Sequence, residues 1–231
     1  MKKIFYWVLG LILMISQSTF GQKSEHNGWL FLSHQQKLGD KWQLSSDFQI
    51  RSADKLSYLN TLLIRPGIGY KISDDQTVTV GYTFFGRWMK ENSETTYQPE
   101  HRIFEQYQLE NKIARIEITN RVRYEQRFIR KDESIFAQRF RYYIQAQIPL
   151  IADSDFKTGF YTAIQDEIFL NVQGKDKLNN HVYDQNRTYI SLGYRFGENL
   201  EIEAGYMFRY IIEQDQNVRN NILQIFIKTS L

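Results

Sequence analysis

Residues 115–125 read Arg115-Ile116-Glu117-Ile118-Thr119-Asn120-Arg121-Val122-Arg123-Tyr124-Glu125, apolar and mostly charged side chains in alternation. Successive side chains of an extended strand leave opposite faces. Ile116, Ile118, Val122 and Tyr124 therefore share one face, and Arg115, Glu117, Thr119, Arg121, Arg123 and Glu125 the other. A soluble β-protein buries the apolar face and wets the polar one. A transmembrane β-barrel reverses this, with apolar side chains towards lipid and polar ones towards an enclosed interior.

The same period recurs on both sides of this stretch. Trp42, Leu44, Phe48 and Ile50 oppose Gln43, Asp47, Gln49 and Arg51. Leu62, Ile64, Ile68 and Tyr70 oppose Thr61, Arg65, Gly67 and Gly69, with Leu63 out of pattern. Residues 77–84, 136–148, 187–196, 200–212 and 223–231 alternate likewise, and weaker matches lie near 28–36, 101–109 and 156–170. Repeated alternation of this kind predicts strands. The apolar face of 200–212 is longer than the usual soluble strand of ~5–6 residues allows, which favours a membrane barrel over an aromatic-rich sandwich.

Short polar turns are expected at Leu38-Gly39-Asp40, Ser73-Asp74-Asp75, Glu110-Asn111-Lys112 and Gly197-Glu198-Asn199, and longer loops at 89–100, 127–134 and 172–184. Short turns on one rim and long loops on the other are the habit of outer-membrane barrels. The alternation gives eleven segments. Bacterial single-chain barrels have even numbers, so ten or twelve strands are expected, twelve favoured, with the missing or split strand near the N-terminus or in 149–156.

The N-terminus is basic at Met1-Lys2-Lys3, apolar from Ile4 to Ile15, then small and polar to Gly21. That order predicts a signal peptide over residues 1–21, cleaved before Gln22, and export by the Sec route. The apolar run is shorter than the ~20 residues of a spanning helix. No cysteine follows it, so no lipid anchor is expected, and no disulfide can form. The rest, 22–231, reads as a single barrel domain. Mean hydropathy is only −0.50, as expected where every second residue is polar. The net charge of +3 arises from interleaved signs, so nucleic acid is not an expected partner.

Trp42, Tyr70, Tyr82, Tyr124, Tyr194 and Tyr210 fall on the apolar face near strand ends, where aromatic girdles of barrels sit. The last strand ends in Ile227, Thr229 and Leu231. It resembles the C-terminal signal read by the barrel-assembly machinery, with Leu where Phe is usual.

The opposite face is rich in charge. Arg51, Arg65, Arg115, Glu117, Arg121, Arg123, Glu125, Arg139, Arg141, Arg187, Arg195, Glu201, Glu203 and Arg209 are expected to line the interior, with Asp47 and Glu167. In a small barrel such side chains satisfy one another as ion pairs. In a wider one they line a wet channel, here with anion preference. Arg121 or Arg123 paired with Glu201 or Glu203 would speak for the filled interior. An enzyme acting on lipid or lipopolysaccharide is the alternative from another class. It needs a nucleophile or activated water with a positioned base. The histidines His26, His34, His101 and His181 form no such constellation by spacing, and no catalytic residue, cofactor or metal ligand is assigned.

The segments Gly28-Trp29, Lys37-Leu38-Gly39-Asp40-Lys41-Trp42-Gln43-Leu44, Gln49-Ile50-Arg51 and Gly67-Ile68-Gly69-Tyr70-Lys71-Ile72, with Gly81-Tyr82, resemble a Bacteroidota outer-membrane family known as domain of unknown function 2490. The resemblance spans nearly all of 22–231 and implies architecture but no substrate or site residues. The chain is thus expected to be an all-β, antiparallel up-and-down barrel in the outer membrane of a Gram-negative bacterium. It would be monomeric, in contact with lipid and lipopolysaccharide, and either a narrow solute channel or a plugged barrel acting through external loops.

Overall fold

A computed structural model describes residues 23–53, 55–91, 94–131 and 133–231. The expected signal peptide and its cleavage site lie outside the described residues. The strands are β1 (Lys23–Lys37), β2 (Trp42–Ala53), β3 (Tyr58–Lys71), β4 (Gln76–Glu91), β5 (Glu94–Ile113), β6 (Ile116–Arg130), β7 (Ser134–Ala152), β8 (Thr158–Gln173), β9 (Tyr183–Phe196), β10 (Leu200–Ile211) and β11 (Val218–Ser230). Each pairs antiparallel with its neighbour in sequence, and β1 closes the barrel by pairing parallel with β11.

Closure corrects the expected strand number. The barrel has eleven strands, neither ten nor twelve, and its sheet is mixed. The physical reason is topological: in an up-and-down meander an odd count leaves the first and last strands pointing the same way. Pro149, near which a strand boundary was sought, lies within β7 beside a register shift.

The pairing fixes the dimensions. Followed round from Lys37, it passes Gln43, Gly69, Thr79, Gln106, Arg123, Arg141, Phe169, Gln185, Ile211 and Val218, and returns to β1 at Lys23. That stagger of about 14 residues, at ~3.3 Å per residue and ~4.8 Å between strands, gives a tilt of ~40° and a backbone radius of ~11 Å.

Three of the expected short turns form, at Leu38-Gly39-Asp40, Ser73-Asp74-Asp75 and Gly197-Glu198-Asn199; Gly197 there takes φ +96°, a region glycine enters without strain. The turn at Glu110-Asn111-Lys112 does not. Those residues continue β5, and the chain reverses at Ala114 and Arg115, with Ala114 at φ +54°. At the opposite rim the expected long loops at 89–100 and 127–134 are mostly strand. The segment 174–182 stays outside the strands and carries a 3-10 turn, Lys175–Lys177.

Outside, the barrel presents apolar side chains. Leu223 is 69% exposed, and Val80, Ile164, Ile190, Leu192 and Ile225 also point outward. Trp42 packs edge-on against Tyr70 with centroids 5.0 Å apart, and Tyr194 against Phe160 at 4.7 Å, near the short-turn rim. Trp88 with Tyr97 and Phe128 with Phe136 pack as tilted pairs near the other rim, at 5.0 and 5.1 Å. Inside, aromatic side chains sit where the wall makes room: a Cβ on Gly193 would come within 2.5 Å of Tyr161 Cζ, its cross-strand partner.

Candidate functional site

The interior is built by the polar face of every strand. Its centre is a continuous chain of ion pairs. The buried Glu125 accepts from Arg139 (Nη2, 2.6 Å; Nε, 3.0 Å) and, through its other oxygen, from Arg141 Nη1 at 2.6 Å. Arg139 reaches on to Asp184 at 3.0 Å. Arg141 reaches Glu167 at 2.6 Å, and Glu167 also takes Arg121 at 2.9 Å. The inward parity of β6, β7 and β8 aims Arg121, Glu125, Arg139, Arg141 and Glu167 at one another, and Asp184 joins them from the register shift of β9 opposite Phe169 and Leu170. A buried pair is tolerable only if its hydrogen bonds are made in this way.

Two smaller groups flank the chain. Glu100 accepts two bonds from Arg102 (2.7 and 3.1 Å) and two from Arg127 (2.6 and 3.2 Å). Asp47 holds Arg65 at 2.9 Å. Towards the short-turn rim, Arg195 donates to Glu117 at 3.0 Å and to the Phe156 carbonyl at 2.6 Å, and lies 3.4 Å from Glu201. Glu203 accepts instead from Tyr161 Oη at 2.9 Å and Ser191 Oγ at 2.7 Å. On the other side of that rim, Gln35, Lys37, Gln43, Lys71, Thr77, Gln108 and Glu110 help line a cavity of about 120 Å³.

Aromatic rings separate the cations. Arg102 lies over Phe85 (4.5 Å), Arg121 over Tyr143 (4.2 Å), Arg123 over Phe104 (4.6 Å) and Arg195 over Phe156 (4.0 Å). Arg141 and Arg187 share Phe169, at 4.5 and 4.6 Å. Stacking suits the planar guanidinium and leaves its edge free to donate.

Three interior arginines gather on one ring without an ion pair among the described residues; a fourth, Arg123, also lacks a carboxylate but bonds Gln106. Arg51, Arg187 and Arg209, from β2, β9 and β10, gather round Trp29 of β1 at 3.9, 5.3 and 5.8 Å from the ring centroid. The first two distances bound the Arg51–Arg187 separation at about 9 Å, where like charges repel by roughly 2 kcal/mol at an effective dielectric of ~20.

Of the residues expected inside, Arg51, Arg65, Arg123, Glu125, Arg139, Arg141, Arg195, Glu201 and Glu203 are buried, and Glu117, Arg121, Arg187 and Arg209 half-buried. Arg115 is a correction. It is exposed in the β5–β6 turn, where Nη2 donates to the carbonyls of Ala152 and Asp153. Its position one residue before β6 takes it out of the alternation. The partners differ from those expected: Arg121 takes Glu167, Arg123 takes Gln106 Oε1, and Glu201 takes Arg195 and Lys228.

The sequence reading missed Glu100, Arg102 and Arg127. Glu100, Arg102, Phe104 and Gln106 do alternate with His101, Ile103 and Glu105, but polar residues on both faces hid the period. It also missed the inward rings, which look like lipid-facing ones when read alone. His101 faces outward, in contact with the Tyr82 hydroxyl and near the Phe84 ring, and His34 Nδ1 is 2.8 Å from Thr229 Oγ1. Among the described residues no His, Cys, Asp and Glu side chains gather as a metal-binding group would require.

The family model described as protein of unknown function (DUF2490) matches residues 26–220. Neither a curated protein nor a solved structure matches the chain.

Proposed function

Because the chain belongs to the family of proteins of unknown function DUF2490, and its barrel turns the apolar face outward, we propose that it spans the outer membrane of a Gram-negative bacterium as a plugged barrel. The outward apolar belt carries this reading. Along β4, Val78 to Trp88 covers roughly 25 Å of height at ~3.3 Å per residue and ~40° tilt, the height of the apolar band of such barrels. Aromatic pairs near both rims support it. So does the resemblance to a Bacteroidota outer-membrane family, together with the N-terminal segment that reads as a signal peptide. Lipid and lipopolysaccharide are then its surroundings, the barrel-assembly machinery its insertase, and a monomer its state.

The plug is the ion-pair chain through Glu125 and Glu167 with its stacked rings. We propose no catalytic role, and place interaction at the rims, above all at segment 174–182. Asn179 pins that segment, donating to the Ile212 carbonyl at 3.0 Å and accepting from Asn171 Nδ2 at 3.0 Å.

The test is a refolded barrel that migrates faster unheated than boiled, placed in a planar bilayer. A plugged barrel gives no steady conductance. Steady anion-selective current, reduced by Arg139→Ala and Arg141→Ala, would overturn the plug in favour of a narrow channel. A chain that stays soluble and monomeric without detergent would overturn the membrane reading itself.

A further inference from the structure

We propose that Arg51, Arg187 and Arg209, with Trp29 behind them, form a binding site inside the barrel for a compact oxyanion of the phosphate class. The inference rests on donors that the fold leaves unspent. Arg51 is 6% exposed, and among the described residues its side chain makes one hydrogen bond, from Nη2 to Gln49 Oε1 at 2.5 Å. Its Nε is buried without a partner, and so is Nε of Arg187. Among the described residues the Arg187 side chain makes no hydrogen bond, and rests against the rings of Phe169 and Trp29. Arg209 donates Nε to Gln185 Oε1 at 2.9 Å.

The charges bear in the same direction. Those acting most strongly on Arg51 are Arg187, Arg209, Arg65 and Arg102, all cationic. Glu167 acts on Arg187, and Asp184, Glu25 and Glu213 on Arg209, but Glu167 is held by Arg141 and Arg121 and Asp184 by Arg139. Arg139 and Arg141, by contrast, share Glu125. Unpartnered donors also occur on Arg65 and Arg123, but among the described residues only at Trp29 do three cations without an ion pair converge. Guanidinium forks with free edges recognise phosphate and carboxylate oxygens, and three of them suit a doubly charged anion best.

Size and access follow from position. The site backs on the buried cluster of Trp29, Tyr189, Met207 and Ile222, which restricts it to a compact anion. Arg51 and Arg209 each stand two residues from the end of their strand, at Ala53 and Ile211, close to the rim. The site does not require the barrel to lie in a membrane, so its failure and the failure of the membrane reading are separable.

The experiment is a titration of the refolded protein in detergent with inorganic phosphate, against sodium chloride and sodium acetate at matched ionic strength. Tryptophan fluorescence and the unfolding temperature are followed, with Trp7→Phe, Trp42→Phe and Trp88→Phe introduced so that Trp29 alone reports. We expect a saturable change with phosphate alone. Arg51→Gln and Arg187→Gln should each weaken it at least about tenfold, as loss of a charge-assisted fork predicts. Arg187→Lys, which keeps the charge and the fold, should weaken it too, and Arg130→Gln, exposed at the end of β6, should not. An equal response to chloride, saturation by acetate in place of phosphate, or undiminished binding by Arg187→Lys and Arg51→Gln would each overturn the proposal.

Discussion

Glu125 and Arg141, on adjacent strands but not directly opposite, meet inside the barrel at 2.6 Å, with the carboxylate fully buried. The other oxygen of Glu125 holds Arg139, so one anion neutralises two cations that have little water to turn to. Such an arrangement is costly to break and cheaper to replace.

Glu125→Ala should therefore destabilise the barrel by about 3–5 kcal/mol, because two buried cations lose the carboxylate they share and are left with Asp184 and Glu167 alone. Replacing Glu125, Arg139 and Arg141 together by Leu, Met and Met should recover most of that loss, since Glu167 keeps Arg121 and Asp184, which loses Arg139, is 16% exposed and reaches water. Urea-unfolding midpoints of the refolded proteins measure both. A single change costing under about 1 kcal/mol would show that the chain of ion pairs is solvated.

The outward face carries two acids that a lipid-facing wall must accommodate: Glu105, which accepts from Gln126 Nε2 at 3.3 Å, and Asp166. Asp166 accepts from Asn186 Nδ2 at 2.9 Å and from Thr188 Oγ1 at 2.8 Å. If that wall faces lipid, Asp166→Leu combined with Asn186→Leu should stabilise the barrel in vesicles by roughly 1–2 kcal/mol. Unfolding in lipid vesicles checks this, and a destabilised double variant there would place this face in water or against another protein.

The short-turn rim has a pH-dependent element. Asp153 accepts from the backbone N–H groups of Lys157 and Thr158, both at 2.8 Å, and the first of these in particular holds its carboxyl below the usual value of 3.8. A depressed carboxyl contributes stability that is fully present above the unfolded value and is lost as pH falls through the folded one. The contribution should fade below about pH 4. Stability measured between about pH 6 and pH 3 should fall less steeply for Asp153→Asn than for the parent. The neighbouring pair does not mimic this at the same group: Lys157 is raised and Glu198 lowered, each first by their mutual hydrogen bond.

Much of the wall was legible from the period-2 pattern. Arg121, Arg123 and Glu125 alternate with Val122 and Tyr124, and the structure puts the two sets on opposite sides of β6. Leu63 broke the pattern because it is an apolar side chain on the inner face, 1% exposed. The turn at Ala114 was not legible, since alanine gives no turn signal and Asn111 gave a misleading one.

The sequence by itself determined the middle of most strands and which face most side chains take, because alternation is a local property of extended backbone. It did not show that 94–100, 110–113 and 127–130 are strand as well. Only the tertiary structure decided that eleven strands close through a parallel seam between β1 and β11. It alone also decided that Arg121 meets Glu167 rather than Glu201 or Glu203, and that Arg51, Arg187 and Arg209 converge on Trp29. Those contacts join strands far apart in the chain. They depend on the stagger accumulated round the whole barrel, which no local stretch of sequence encodes.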